Sequence, residues 1–281
     1  MKRAERFWQA ALLRSEQALA GGTLVPLSTE LVDAQALHPF VLRRLISRTP
    51  RHLRAGGPRP NPFLPWEPQL QVDLLGTSHV LLLNKFPVQP GHVLVITQHW
   101  QPQCGWLRPE DWQAVDHVAA DTAGLWFFNS CTAAGASQPH RHLQLLPRHP
   151  GAQSCPLAAN LHAQLAGEQT SWPWRYRLSR RQPGAGPAAL EQLYWTHASQ
   201  LGLGDPRHDS QPRHPYNLLF DDDWFLTVRR EREHCAGFSV NALGFAGYLL
   251  ATATSDLTWL EQEGPWRLLE QVAAGDGVVR R

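Results

Sequence analysis

The sequence predicts an α+β fold, on three observations. Apolar runs of strand-like composition come in adjacent pairs separated by turn residues, at 79–84 and 92–97 and again at 216–220 and 224–229. Helical patterns stand between these pairs, and few segments alternate strand and helix in the way a parallel sheet requires. Hairpins with intervening helices build an antiparallel sheet flanked by helices.

Residues 1–20 are rich in good helix formers and stop at Gly21-Gly22, which predicts a first helix. Residues 34–48 predict a second, ended before Thr49-Pro50. The prolines of 55–68 exclude helix and central strand and predict an extended loop. The runs 79–84 and 92–97 form a hairpin whose connection holds Pro90-Gly91. A helix is expected over 109–123, where Pro109 suits the first turn, Glu110 and Asp111 the positive end of the dipole, and Gly124 the close. Its Trp112, Val115, Val118 and Ala119 keep the spacing of a buried face. Strands follow at 125–129 and 142–146. Residues 148–215 carry little pattern, with connections at 181–187 and 201–215. Strand character returns at 216–220 and 224–229 around Asp221-Asp222-Asp223; the segment 238–250 follows, and a helix over 256–270 ends the core.

Bulk properties bound the function. At 281 residues, one large or two moderate domains are expected. Hydrophobic content of 43% with 18% charged residues is that of a globular chain. A net charge of +2 gives no basic field for long nucleic acid, whereas a small polyphosphate needs only a local positive site. Cys104, Cys131, Cys155 and Cys235 show no CxxC pair, hence neither a zinc ribbon nor a disulfide framework. The first residues lack the apolar core of a signal peptide, and no run reaches the length of a membrane span. A reducing cytoplasm fits these features. The 12 tryptophans read chiefly as packing.

The chemistry concentrates between 128 and 144. His140, His142 and Gln144 alternate, and a period of two projects side chains from one face of a strand. Just before them, Gly135-Ala136-Ser137-Gln138 is a small, flexible loop able to bring backbone N–H groups and a hydroxyl to a phosphate. An imidazole beside a phosphate cradle is equipped for nucleophilic attack on phosphorus. Taken alone, two alternating histidines also fit a partly buried pair or, less well, a zinc or copper site. Asn129 is a loop cap or a ligand contact, and Lys85, after Asn84, is surface or a ligand contact. The run Arg229-Arg230-Glu231-Arg232-Glu233 alternates in sign and reads as solvated.

These residues resemble the nucleotidyltransferase branch of the histidine-triad superfamily, whose motif is His-x-His-x-Gln. Asn129-Ser130 with Gly135 through His142 is similar to the diadenosine tetraphosphate phosphorylases, also called ATP adenylyltransferases. So are Asn61-Pro62-Phe63, residues 79–88 (HVLLLNKFPV) and residues 239–247 (SVNALGFAG). The resemblance implies a histidine-triad-like antiparallel sheet with flanking helices, in two related halves packed as a pseudo-dimer. Residues 1–175 would form the N-terminal catalytic region, and 176–281 a C-terminal ATP adenylyltransferase-type region completing the nucleotide site. It implies His142 as nucleophile, with His140 shaping its hydrogen bonds and Gln144 holding the phosphate. Asn84, Lys85, Asn129, Gly135, Ala136, Ser137 and Gln138 would contact nucleotide, joined by Asn241, Ala242, Leu243, Gly244 and Tyr248; Asn217 is a weaker candidate. Thr252 stands near the place where some relatives carry a lysine, and Arg43, Arg44, Arg48 and Arg51 compete for an upstream cationic role.

The implied reaction is phosphorolysis of diadenosine tetraphosphate by orthophosphate, giving ATP and ADP through an adenylyl-histidine. Glutamine cannot give up a proton, which suits a polyphosphate leaving group and an acceptor that is already an anion. No protein metal site is expected. An exchangeable Mg2+, bound mainly through substrate phosphates, would offset their charge. Partners are expected to be small molecules only, and the chain a monomer. Two rivals remain. A sugar-1-phosphate uridylyltransferase shares the motif but often places Pro between the histidines, where Arg141 stands, and carries metal-ligand clusters. A silent nucleotide-binding or metal-sensing protein is opposed by intact His142 and Gln144.

Overall fold

Which face of a strand each residue takes decides where this protein's chemistry sits. The computed structural model describes residues 3–33, 35–47, 61–149, 151–182 and 184–275. The N-terminal region contributes α1 (Arg6–Ala20), β1 (Thr29–Leu31), β2 (Val41–Leu45), β3 (Gln71–Leu75), β4 (His79–Leu83) and β5 (Val93–Thr97). Then come α2 (Pro109–Asp121), β6 (Gly124–Asn129), β7 (His142–Pro147), α3 (Ala158–Ala166), β8 (Tyr176–Arg180) and α4 (Pro187–Gln200). The chain closes with β9 (Tyr216–Phe220), β10 (Trp224–Arg229), β11 (His234–Cys235), β12 (Phe238–Ser239), β13 (Tyr248–Ala251) and α5 (Leu257–Val272).

The main sheet has eight strands in the order β3-β4-β5-β7-β6-β9-β10-β8, antiparallel throughout. The predicted hairpins β4–β5 and β9–β10 form as expected, and β6 pairs with β9 to join the N- and C-terminal halves in one sheet. Every residue of β4 and β5 is buried, because both faces of the sheet are covered there. That is why these strands read as continuous apolar runs. One face carries Leu81, Leu83, Val93, Val95, Leu143 and Leu145 and packs against Phe7 of α1, Trp112 and Val115 of α2, and Tyr194 of α4. The predicted buried face of α2 is borne out, since Trp112, Val115, Val118 and Ala119 all lie in this core. The opposite face holds two apolar clusters. Phe63 covers Val80, Leu82, Leu94 and Ile96; residues from α3, α5 and the segment around Val240–Phe245 cover Leu125, Phe127, Leu146 and Leu219.

The structure corrects or completes four expectations. The helix expected over 34–48 is a short 3-10 turn (Gln35–Leu37) followed by β2; Ala34 and Arg48 lie outside the described residues. Pro39 removes an N–H from the stretch, and the remainder is too short to hold a helix. Instead β2 pairs antiparallel with β1 and parallel with β13, with the Val41 N–H on the Gly247 carbonyl at 2.8 Å. The weakly patterned 148–215 contains α3, β8 and α4. β8 is an edge strand with a half-exposed pattern, and α4 buries only Leu190, Tyr194, His197 and Ala198, so neither shows a strong period. Gly124 does not close α2 but opens β6, where any Cβ would run into the carbonyl oxygen of Leu146. Of the loop expected over 55–68, residues 55–60 lie outside the described residues, and Pro68–Leu70 form a 3-10 turn.

Candidate active site

His142 stands at the first residue of β7, in the middle of the sheet. The register Ile96↔His142 and Leu94↔Gln144 puts His142 and Gln144 on the face that carries the two apolar clusters, between them. His140 precedes the strand, in an isolated bridge to Pro102, so the predicted single strand is shortened. The two imidazoles still share a side, since Phe63 packs on both, with ring centres 5.7 Å from His140 and 5.6 Å from His142.

The hydrogen bonds fix every tautomer. His142 Nδ1 lies 2.7 Å from the carbonyl of His140, which can only accept, so Nδ1 carries the proton. Nε2 therefore keeps its lone pair, and it makes no hydrogen bond to a described residue. Burial pulls the imidazole down to about 4, against the smaller upward pull of that carbonyl, so the ring is neutral at physiological pH. His140 Nε2 donates to the Thr97 carbonyl at 2.9 Å, and its Nδ1 accepts from Asn61 Nδ2 at 3.1 Å. Burial lowers this ring's pKa too.

Gln144 is held by a residue that the sequence did not single out. Asn84 Nδ2 donates to His92 Nδ1 at 3.1 Å, and His92 Nε2 donates to Gln144 Oε1 at 3.0 Å. The Asn84 Oδ1 is itself fixed by the Phe86 N–H at 3.1 Å. Gln144 thus spends its acceptor on His92, and its NH2 makes no hydrogen bond to a described residue. His92 is also pulled down to about 4 by burial and stays neutral. Nothing local marked His92, which reads as the first residue of the apolar run 92–97. Gln103 was missed for a similar reason: it lies in a loop, yet its side chain is buried and bonds the backbones of Asn129 and His142.

Asn129 ends β6 opposite Asn217 of β9. Its Oδ1 accepts from Asn217 Nδ2 at 2.8 Å and from the Ala242 N–H at 2.8 Å. The candidates of both halves therefore meet here, and Asn217 proves central. The Gly135 loop touches the C-terminal loop directly: a methyl on Gly135, at φ 86°, would lie 2.6 Å from Asn241 Cβ. Asn241 Oδ1 caps the Leu243 N–H at 2.9 Å, and a methyl on Gly244 would lie 2.6 Å from a methyl of Val240. Ala136 is buried and Ser137 half-buried, while Gln138 Oε1 is buried without a hydrogen-bond partner among the described residues. Lys85 and Tyr248 stand apart from this network. Lys85 is exposed, 6.0 Å from the Phe86 ring, and the Tyr248 hydroxyl accepts from Arg148 Nη2 at 3.0 Å beyond the far end of β7. Of the upstream arginines, Arg43 and Arg44 pair with Thr29 and Glu30, whereas Arg48 and Arg51 lie outside the described residues. Arg230, expected to be solvated, is buried.

A wide antiparallel sheet with His-x-His-x-Gln at its centre and a glycine loop beside it defines a histidine-triad-like protein. The Ap4A phosphorylase N-terminal domain matches residues 1–163, and the ATP adenylyltransferase C-terminal domain matches residues 170–275. The chain belongs to the Ap4A phosphorylase family. Two Saccharomyces cerevisiae proteins align with parts of it. Protein APA1 is 41% identical over 76 residues, covering 25% of this chain and 24% of that protein. Diadenosine 5',5'''-P1,P4-tetraphosphate phosphorylase 2 is 35% identical over 100 residues, covering 31% of each. The aligned stretches thus span a quarter to a third of those relatives. The crystal structure of yeast Ap4A phosphorylase Apa2 superposes with a TM-score of 0.73 at 19% identity, over 96% of this chain and 97% of that one. Its complex with Ap4A gives 0.71 at 19% identity, over 97% and 98%.

Proposed function

We propose that this protein cleaves diadenosine tetraphosphate with orthophosphate to give ATP and ADP. One observation carries the reading: a neutral His142 whose Nδ1–H is tied to the His140 carbonyl, leaving Nε2 as the nucleophile, beside an amide instead of a third histidine. Nε2 attacks the phosphorus nearest one adenosine. The bond to the next phosphate breaks, and ATP leaves with the electron pair. Attack by orthophosphate on the same phosphorus returns the nitrogen and forms ADP. Gln144 presents an NH2 to the moving phosphate oxygens and offers water no base, which favours an acceptor that needs no deprotonation. The resolved structures of Apa2 with Ap4A and with AMP, on the same fold, support a nucleotide substrate.

Among the described residues no group of three His, Cys, Asp or Glu is placed to hold a metal ion. A magnesium ion would come with the phosphates of the substrate and supply partial neutralisation of their charge. Residues 1–175 would supply the nucleophile and the glycine loop, and 176–281 the other wall of the nucleotide site. A monomer is consistent with this division, because β9 of the same chain occupies the free edge of β6. A cytoplasmic setting agrees with four free cysteines. No helix among the described residues is long and apolar enough to cross a membrane. The deciding experiment is product analysis with diadenosine tetraphosphate, with and without orthophosphate. ATP and ADP in equal amounts, dependent on phosphate, are expected. Abundant AMP in saturating phosphate would overturn the reading.

A further inference from the structure

Arg230 follows β10 and is 1% exposed. Its Nε donates to the Val272 carbonyl at 3.1 Å, and its Nη2 donates to the carbonyls of Arg232 at 2.7 Å and Val240 at 2.8 Å. Its Nη1 donates to Asn217 Oδ1 and, at 3.5 Å, to the Ala134 carbonyl; the Phe245 ring lies 5.2 Å away. None of these partners is an anion. No described carboxylate forms an ion pair with Arg230, Glu233 acts on it only at longer range, and burial pulls the guanidinium down to about 9. A guanidinium taken out of water without a counter-ion is costly, and the cost falls when an anion comes close.

The place where an anion would come is marked by Asn217. It accepts from Arg230 through Oδ1 and donates through Nδ2 to Asn129 Oδ1 and to the Ala134 carbonyl, both at 2.8 Å. Ala134 precedes Gly135, and Val240 precedes Asn241, so the buried cation lies directly behind both loops of the site. On the sheet face, His142, Gln144 and Asn129 are neutral. We propose that Arg230 is the resident counter-charge of the polyphosphate site, a positioning residue that acts through Asn217 on Asn129 and the Gly135 loop and selects ligands by their phosphate charge. The proposal rests on the reading of this site as one for dinucleoside polyphosphates. At low dielectric a charge acts across several ångströms, so direct contact with phosphate is not needed.

The full-length protein is titrated with ATP and with adenosine. In Arg230→Gln, ATP binding is expected to weaken at least about tenfold, with adenosine affinity within about twofold of wild type. Arg230→Lys retains most of the preference for ATP at about pH 6, where its amine is protonated. Arg267→Gln, which removes an exposed charge paired with Glu270, changes neither affinity. A proportionate loss for both ligands in Arg230→Gln, or unchanged ATP binding, overturns the proposal. Should the Gln variant not fold, Arg230→Lys decides the matter, because a buried lysine gives up its proton far more readily than an arginine. Its ATP affinity relative to wild type should fall between about pH 6.5 and about pH 8.5, and a flat ratio overturns the proposal. The titratable groups felt at this position, Glu233 and Cys131, are common to both proteins and cancel in the ratio. A wild-type protein that binds no ATP would instead overturn the proposed function itself.

Discussion

Gln103 holds the backbone of His142 by both of its polar groups. Its Oε1 accepts from the His142 N–H at 2.8 Å, and its Nε2 donates to the His142 carbonyl at 3.3 Å and to the Asn129 carbonyl at 2.7 Å. Ladder pairing between β6 and β7 stops at Phe127↔Gln144, so the Gln103 amide stands where the sheet would otherwise close beside His142.

Gln103→Ala should therefore misalign Nε2. The rate of adenylyl transfer is expected to fall by about 10²-fold, with KM changed far less, since sub-ångström placement governs such steps. Rapid-quench measurement of the first half-reaction checks this. An equal loss in substrate affinity and none in rate would count against it.

His142→Ala should lose activity by at least about 10³-fold, the scale on which removal of a covalent nucleophile acts. Wild-type protein quenched with labelled substrate should carry label that is acid-labile and alkali-stable, as phosphoramidates are. Label surviving denaturation in His142→Ala would place the nucleophile elsewhere.

Gln144→His should raise AMP relative to ADP by giving water a base, and Gln144→Ala should slow both half-reactions on the order of 10²-fold. His92→Leu should behave like Gln144→Ala, because the amide loses the donor that orients it. His92→Gln, which keeps an NH2 near the position of Nε2, should recover part of the rate. Product ratios by chromatography test all four variants.

The buried histidines make the protein acid-sensitive. His92, His142 and His197 are each pulled by burial from 6.5 to about 4. An unfolded chain takes up these protons first, so the contribution of these histidines to stability is constant above about pH 6.5 and is lost as pH falls towards about 4, by about 3 kcal/mol per group. Denaturant midpoints measured across that range should decline steadily. The acid limb of activity should also lie well below pH 6.5, near the pKa of His142 itself.

Excess chelator should abolish most activity, and added Mg2+ should restore it, because the tetraphosphate's charge exceeds what the site can offset. Full activity in chelator would falsify the dependence.

The sequence announced what is periodic or short-range. The hairpins, α1, α2 and the alternation of His142 with Gln144 follow from local spacing, and the loop at Gly135 from its composition. What escaped it depends on partners far along the chain. β2 is a strand because of β13, some two hundred residues later in sequence. His92 and Gln103 matter through single contacts that no periodicity records. Arg230 sits among alternating charges that normally face water, and only the closure of α5 and the Val240 segment over it takes it inside.

The β6–β9 seam has a consequence for folding. Asn129↔Asn217 pairing makes β6 an interior strand, so removal of the C-terminal half would leave its backbone N–H and C=O groups, together with Leu125 and Phe127, facing solvent as an open apolar edge. Such edges recruit other chains. The N-terminal half expressed alone should therefore aggregate, and the intact chain should unfold in one cooperative step with both halves melting together.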